Sequence, residues 1–348
     1  MVQGALPYNV RNRSVNRILQ GTPQGDESAH SDGKGAFFSC NAPLRCVQGA
    51  AAFPMLKTLL FRLKNNLLAD NFNPVAINAM ILLCPEDTEE TLKDFKGVLA
   101  TFASSEDLPL TDVQASTRDI GKAVCQVTMV GSEIPAEHSA EEVGDTQPGD
   151  APAQGNVPAT GTESLPATGP EAGTDIVQIG RIGAEGAYLL ADNQRDRIDA
   201  ALPAMFADHA LAMEQELDLS PSIVILRQHH FFPGRLIPLG EGGILAGLWD
   251  LADWYHTGFT VDLHAIVIAQ ETVEITEVFG INPYKLASTG AGLFLTTHGP
   301  EVCELLRDAR IDAAIIGQLS ANRDKIIKNG EEVSHLNRPD PDEVYRCI

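Results

Sequence analysis

Leucines at positions 56, 59, 60, 63 and 67 recur at the spacing of one helical face and predict a helix from about Ala50 to Asp70. The apolar run from Val75 to Cys84 is of strand length. Leu92, Phe95, Leu99 and Phe102 then return to helical spacing behind an N-cap at Asp87 or Thr88. Two strand-like pieces follow, near Asp112 to Thr117 and Lys122 to Val130, the latter alternating Ala123, Cys125, Val127 and Met129 with polar neighbours. The second half repeats the mixture. A strand begins at Ile176, a GAEG turn follows, and a helical run extends from about Asp196 to Leu217. Gly242 and Gly243 open a helix with Ile244, Leu248, Leu251 and Tyr255 on one face, Asp250, Asp253 and His256 on the other, and Gly258 at its end. A short strand and a second helix complete this block up to Gly290. Ala291 to Thr297 alternates as a strand, Pro300 sits in a first helical turn with Val302, Leu305 and Leu306 inward, and a strand near Ala313 to Ile316 precedes a polar tail.

Between the halves, Ser132 to Asp175 has no hydrophobic period and is rich in Pro, Gly, Ala, Thr and Glu, too little apolar surface to offset chain entropy. The expected layout is therefore a domain over 1–131, an acidic linker over 132–174 and a domain over 175–348. Both domains read as α/β, layered in the α+β manner.

Composition narrows the function classes. Across 348 residues the hydrophobic fraction of 44% supports real cores, and no apolar run approaches the roughly 20 residues of a membrane helix. The N-terminus lacks the apolar centre of a signal peptide, which points to the cytoplasm. A net charge of -22 opposes nucleic-acid binding, and nine acidic residues with no Lys or Arg fall in Ser132–Asp175. Six cysteines include no Cys-x-x-Cys knuckle, which fits a reducing compartment and argues against a zinc ribbon.

The paired glycines 242 and 243 are the first chemical candidate, because free amides at a helix start favour an anion such as phosphate. Gln270 and Glu271 read as helix caps, Asn282-Pro283 as a turn, and His229-His230 as structural neighbours on opposite sides of a strand. No Ser-His-Asp order, His-Glu-x-x-His, Walker loop or Gly-x-Gly-x-x-Gly appears.

Gln270-Glu271-Thr272-Val273-Glu274, Asn282-Pro283-Tyr284-Lys285-Leu286 and Thr289-Gly290, with Asp175-Ile176-Val177, Gly183, Glu185 and Gly186 upstream, resemble the second domain of the aminoimidazole ribonucleotide synthase-related, PurM-like superfamily. HypE-like hydrogenase maturation factors are the most similar members. The resemblance covers the second half and extends more thinly over the first. It implies an N-terminal sheet domain used for homodimerisation, a C-terminal α/β sandwich, and ATP with Mg2+ in the cleft between them. The implied reaction is phosphorylation of a carboxamide or similar oxygen, with a protein partner in a maturation pathway. Carried over position by position, the nucleotide contacts are Gly25, Asp26, Glu27, Asn66, Thr117, Gly242 and Gly243. Asp26 and Glu27 are the metal candidates. Cys347, one residue from the end and beside Arg346, corresponds to the cysteine that carries a carbamoyl group in that family, and a neighbouring cation favours thiolate.

Four expected acidic positions are neutral here: Asn41, Asn66, Ser116 and Pro238. Magnesium prefers charged oxygen ligands, so metal affinity should fall. Two readings stay open, an active site with other ligands and a non-catalytic regulatory or binding relative that keeps fold and dimer. A purine-pathway ligase is a weaker third.

Overall fold

The computed structural model of the chain describes residues 37–45, 52–118, 120, 123–134, 170–232 and 235–348. Gly25, Asp26 and Glu27 lie outside the described residues.

In the first half, β1 (Phe37–Arg45), β2 (Phe72–Leu83), β3 (Leu110–Thr117) and β4 (Val124–Glu133) form a sheet of order β1-β4-β2-β3. Only β2 and β3 are parallel. Helices α1 (Ala52–Ala69) and α2 (Glu89–Ser105) cover one face. The leucine stripe explains why: Leu56, Leu59, Leu60, Leu63 and Leu67 are all buried against Ile77, Ile81, Cys125, Val127 and Met129. At about 1.5–3 kcal/mol per buried side chain, this packing outweighs any local propensity. Thr88 is the N-cap of α2, with Glu89 and Glu90 in the first turn, whereas Asp87 accepts from the Cys84 amide at 2.6 Å.

The second half is built on a seven-stranded sheet of order β11-β10-β7-β9-β5-β8-β6. Its strands are β5 (Asp175–Ile179), β6 (Arg235–Pro238), β7 (Gly258–Asp262), β8 (Gly292–Thr296), β9 (Ala313–Ser320), β10 (Lys325–Asn329) and β11 (Glu332–His335). One face packs on α7 (Gly243–Trp254) through Ile244, Leu248 and Leu251. The other packs on α6 (Ser220–Gln228) and α9 (Gly299–Asp308) through Ile223, Leu226, Val302 and Leu306. Helices α3 (Ala184–Asn193), α4 (Arg195–Ala201), α5 (Met205–Ala212) and α8 (Gln270–Phe279) share one continuous core with α1.

Three expectations are corrected. The helical run expected over 196–217 is interrupted at Leu202-Pro203, because proline lacks an amide and forces its predecessor out of helical geometry. His229 and His230 end helix α6, both exposed and His230 at φ 59°, so they do not alternate across a strand. The polar tail contains β10 and β11, where pairing of β10 with β7 supplies the order that its own residues do not signal.

Candidate functional site

Helix α1 is buried on nearly all sides, which a one-sided leucine stripe does not require. Its second face is polar and reaches across to the other half. Lys57 pairs with Glu214, Lys64 with Asp218, and the Asn65 side chain donates to the Leu217 carbonyl at 2.8 Å while accepting from the Leu219 amide at 3.0 Å. Asn65, fully buried, thus joins the two halves.

Arg62 stands at the centre of this joint. Its Nη2 donates to Glu185 Oε1 at 2.6 Å, Nη1 to Glu241 Oε1 at 3.0 Å, and Nε to Thr289 Oγ1 at 3.2 Å. Glu185, 1% exposed, is held in the first turn of α3 by Gly183 at φ 72°, and its other oxygen accepts from the Thr289 amide at 3.0 Å. Burial alone would lower the Arg62 guanidinium, but Glu185 and Glu241 outweigh it and push its pKa upward. The Tyr345 hydroxyl donates to Glu241 Oε1 at 2.9 Å; burial, then the Glu241 carboxylate, pushes its pKa up.

The family-like motifs meet beside this cluster. Gly242, at φ 80°, caps α7, and a Cβ on Gly243 would stand 2.6 Å from the Leu286 carbonyl oxygen and 2.7 Å from that of Tyr284. Glycine is therefore needed at 243 for the turn over Pro283–Lys285 to pack on the helix start. The Gly242 amide is already engaged: it donates to Asp342 Oδ2 at 2.6 Å, and the Val344 amide donates to Oδ1 at 2.9 Å. A carboxylate from the end of the chain thus occupies the helix end that the sequence marked for an anion. Burial, against those two amides and reinforced by Glu185 and Glu241, pushes the Asp342 pKa up to about 7.

No family model matches the chain, and no curated protein matches it by sequence. Solved structures do. HypE of E. coli, a hydrogenase maturation protein, superposes with a TM-score of 0.66 at 18% identity, over 92% of this chain and 92% of that one. A HypE in complex with ATP matches at 0.62 and 13% identity, over 99% and 98%. A thiamine-monophosphate kinase from Stenotrophomonas maltophilia matches at 0.59 and 16%, over 87% and 88%. The chain has a PurM-like fold.

Within the PurM-like frame the candidate residues separate. Asn66 lies one turn beyond Arg62 on α1, and Arg62 is bonded to Glu241, the neighbour of Gly242, so Asn66, Gly242 and Gly243 belong to one joint. Thr117 does not. It ends β3 opposite Leu83, whereas Leu67 beside Asn66 reaches Gly131 and Phe72 at the other end of β2. Along a twelve-residue strand that separation is on the order of 30 Å. Cys347 is half-buried, its carbonyl accepts from Gln194 Nε2 at 3.0 Å, and burial raises its thiol pKa against the lowering by Arg197 and Arg346. The thiolate expected from Arg346 alone is corrected on this point; Arg346 pairs with Glu343.

Among the described residues no group of three His, Cys, Asp or Glu side chains converges to hold a metal. Arg62, Glu241, Asp342 and Tyr345 were not singled out from the sequence. The available signal was the set of cations Lys57, Arg62 and Lys64 inside a leucine-rich helix. No helix among the described residues is long and apolar enough to cross a membrane.

Proposed function

We propose that this PurM-like chain binds ATP, or a related nucleotide, at the joint between its halves. The observation that carries the proposal is a match across 99% of the chain to a HypE that holds ATP. A second structural neighbour, a ThiL complexed with AMPPCP and TMP, points to the same ligand class. Asn66, Gly242 and Gly243 are the described residues offered for contact, with Gly25, Asp26 and Glu27 as the candidates outside them. Thr117 can join the same site only from a second copy of the chain.

The proposed chemistry is phosphoryl activation of a carboxamide or similar oxygen. Bound ATP supplies the phosphoryl group; the chain's part is to present the start of α7, where Asp342 now holds the Gly242 amide and the Gly240 carbonyl the Gly243 amide, and to keep Arg62 charged by Glu185 and Glu241. Among the described residues the carboxylates at the joint are engaged by Arg62, by Lys57 and Lys64, or by amides and do not form a metal set, so Asp26 and Glu27 are the proposed magnesium ligands. Homodimerisation through the open face of the first sheet, a protein partner in a maturation pathway and a cytoplasmic location complete this reading.

A second reading, a non-catalytic regulatory or binding relative, is favoured by the neutral Asn41, Asn66, Ser116 and Pro238. Isothermal titration with Mg-ATP tests binding, and single-turnover assays with ATP separate the readings. Saturable heat displaced by ADP supports the nucleotide site; its absence in the full chain rejects it. Phosphoryl release from bound ATP rejects the non-catalytic reading.

A further inference from the structure

A cavity of about 290 Å³ opens on the α7 side of the second sheet, and every residue that lines it belongs to the second half. Its walls come from the start of α7, from Leu263 in the turn after β7, from the Asn282–Lys285 turn ahead of β8, and from the stretch that runs from the end of β11 to Asp340. The floor is apolar. Leu245, Leu263, Tyr284 and Leu336 pack on the core beneath α7, and Ile327, 6% exposed, reaches the cavity from β10.

The outer wall is pinned at both ends. The Leu336 amide donates to the Lys325 carbonyl at 2.8 Å, and Lys285 Nζ pairs with Asp340 at 2.8 Å. Between these anchors Pro339 keeps Arg338 in extended backbone geometry, so the exposed guanidinium is carried on a segment with little freedom. The charge balance is reversed here relative to the chain. Against 47 acidic and 25 basic residues overall, the lining holds Lys285, Arg338 and His335 with a single carboxylate, Asp340, which Lys285 already engages. Arg338, His335 and the Tyr284 hydroxyl have no hydrogen-bond or ion-pair partner among the described residues, and the Asn282 side chain uses only its oxygen, which accepts from the Tyr284 amide at 2.9 Å. The capacity remaining at the rim is mostly that of donors.

An apolar floor under a cationic, donor-rich rim is complementary to one kind of compound. We propose that this cavity binds a small organic anion, a carboxylate or phosphate borne on an apolar body, with Arg338 as its charge partner and Leu245, Leu263 and Leu336 around the body. The volume stands at the lower end of small-molecule sites, which begin at about 300 Å³, so the ligand is of metabolite size. A guanidinium meets either group through paired hydrogen bonds, which is why Arg338 sets the class. Of the residues offered above for the nucleotide, Gly242 alone lines the cavity, and its amide is taken by Asp342. The anion site therefore stands apart from the nucleotide proposal.

Isothermal titration of the full chain with phenyl phosphate, benzoate and neutral benzamide, without nucleotide, tests the assignment. At least one of the two anions is expected to bind with a dissociation constant below about 1 mM, and benzamide about tenfold more weakly or less. Tighter binding of phenyl phosphate supports the site as one for phosphates, and tighter binding of benzoate supports it as one for carboxylates. Arg338→Gln should weaken the anion about tenfold, whereas Arg307→Gln, at an exposed arginine of α9 on the opposite face of the sheet, should leave it unaltered. In hydrogen–deuterium exchange the saturating anion should protect 282–286 and 334–340. No binding of either anion up to about 10 mM, equal binding of benzamide, undiminished binding by Arg338→Gln, or protection confined to α1 and 183–186 overturns the site. With no nucleotide present, each of these results leaves the nucleotide proposal to its own titration.

Discussion

Replacing Arg62 by alanine leaves Glu185, 1% exposed, with the Thr289 amide as its remaining recorded hydrogen-bond partner. Stranding one member of a buried ion pair costs about 3–5 kcal/mol, so Arg62→Ala should lower unfolding free energy by that order in a urea titration. A loss below about 1 kcal/mol would show that Glu185 finds other compensation. Asp342 carries the opposite sign of effect. Its raised pKa means that the charged form is disfavoured in the fold, so stability attributable to it declines as pH rises from the unfolded aspartate value to about 7. Asp342→Asn should therefore flatten the pH dependence in thermal melts, and, because its one acceptor can serve only one of the two backbone amides that Asp342 engages, should melt below the parent at acidic pH. Neither residue stood out in the sequence. Each acquires its role from partners in distant segments, Arg62 from 185, 241 and 289, Asp342 from 242, and no local spacing encodes such meetings.

Helix α7 begins at two glycines in left-handed geometry, and substitution of the second is sterically barred by two carbonyl oxygens. Gly243→Ala should destabilise the chain by about 1–3 kcal/mol and disturb the Pro283–Lys285 turn, readable as faster amide exchange at 283–286. In α1, Leu60→Ala removes a fully buried side chain and should cost about 2–5 kcal/mol by denaturant unfolding. These elements show where sequence reasoning succeeds. The leucine stripe of α1, the Thr88 cap and the glycine-led start of α7 are written in adjacent residues, so their existence is legible. The purpose of the glycines is not: their spacing suits an anion site, while the fold uses Gly243 for close packing and hands the Gly242 amide to Asp342. Strands β10 and β11 escaped notice because residues such as Lys325, Lys328 and Asn329 lack an apolar alternation, and their order comes from pairing with β7.

For the whole molecule, the resemblance read from the 270–290 block agrees with the PurM-like frame, although identity to the superposed structures does not exceed 18% among those described. Among the described residues no helix covers the second face of the first sheet, where Met80 is 43% exposed between Asn78 and Leu82. In the proposed homodimer this face is the contact, so Met80→Asp should halve the mass seen by light scattering without unfolding the chain. A monomeric mass for the unsubstituted protein would reject the dimer.

Because α1 lends its leucines to the first sheet and its polar side to the second half, the two halves are bound by interlocking surfaces as well as by peptide bonds. A backbone nick placed between 135 and 169 should consequently leave the fragments associated. Expressed as separate polypeptides, 1–134 and 170–348 should find one another and restore the parent's cooperative melt, giving a split pair whose reassembly reports directly on the contacts of a single helix.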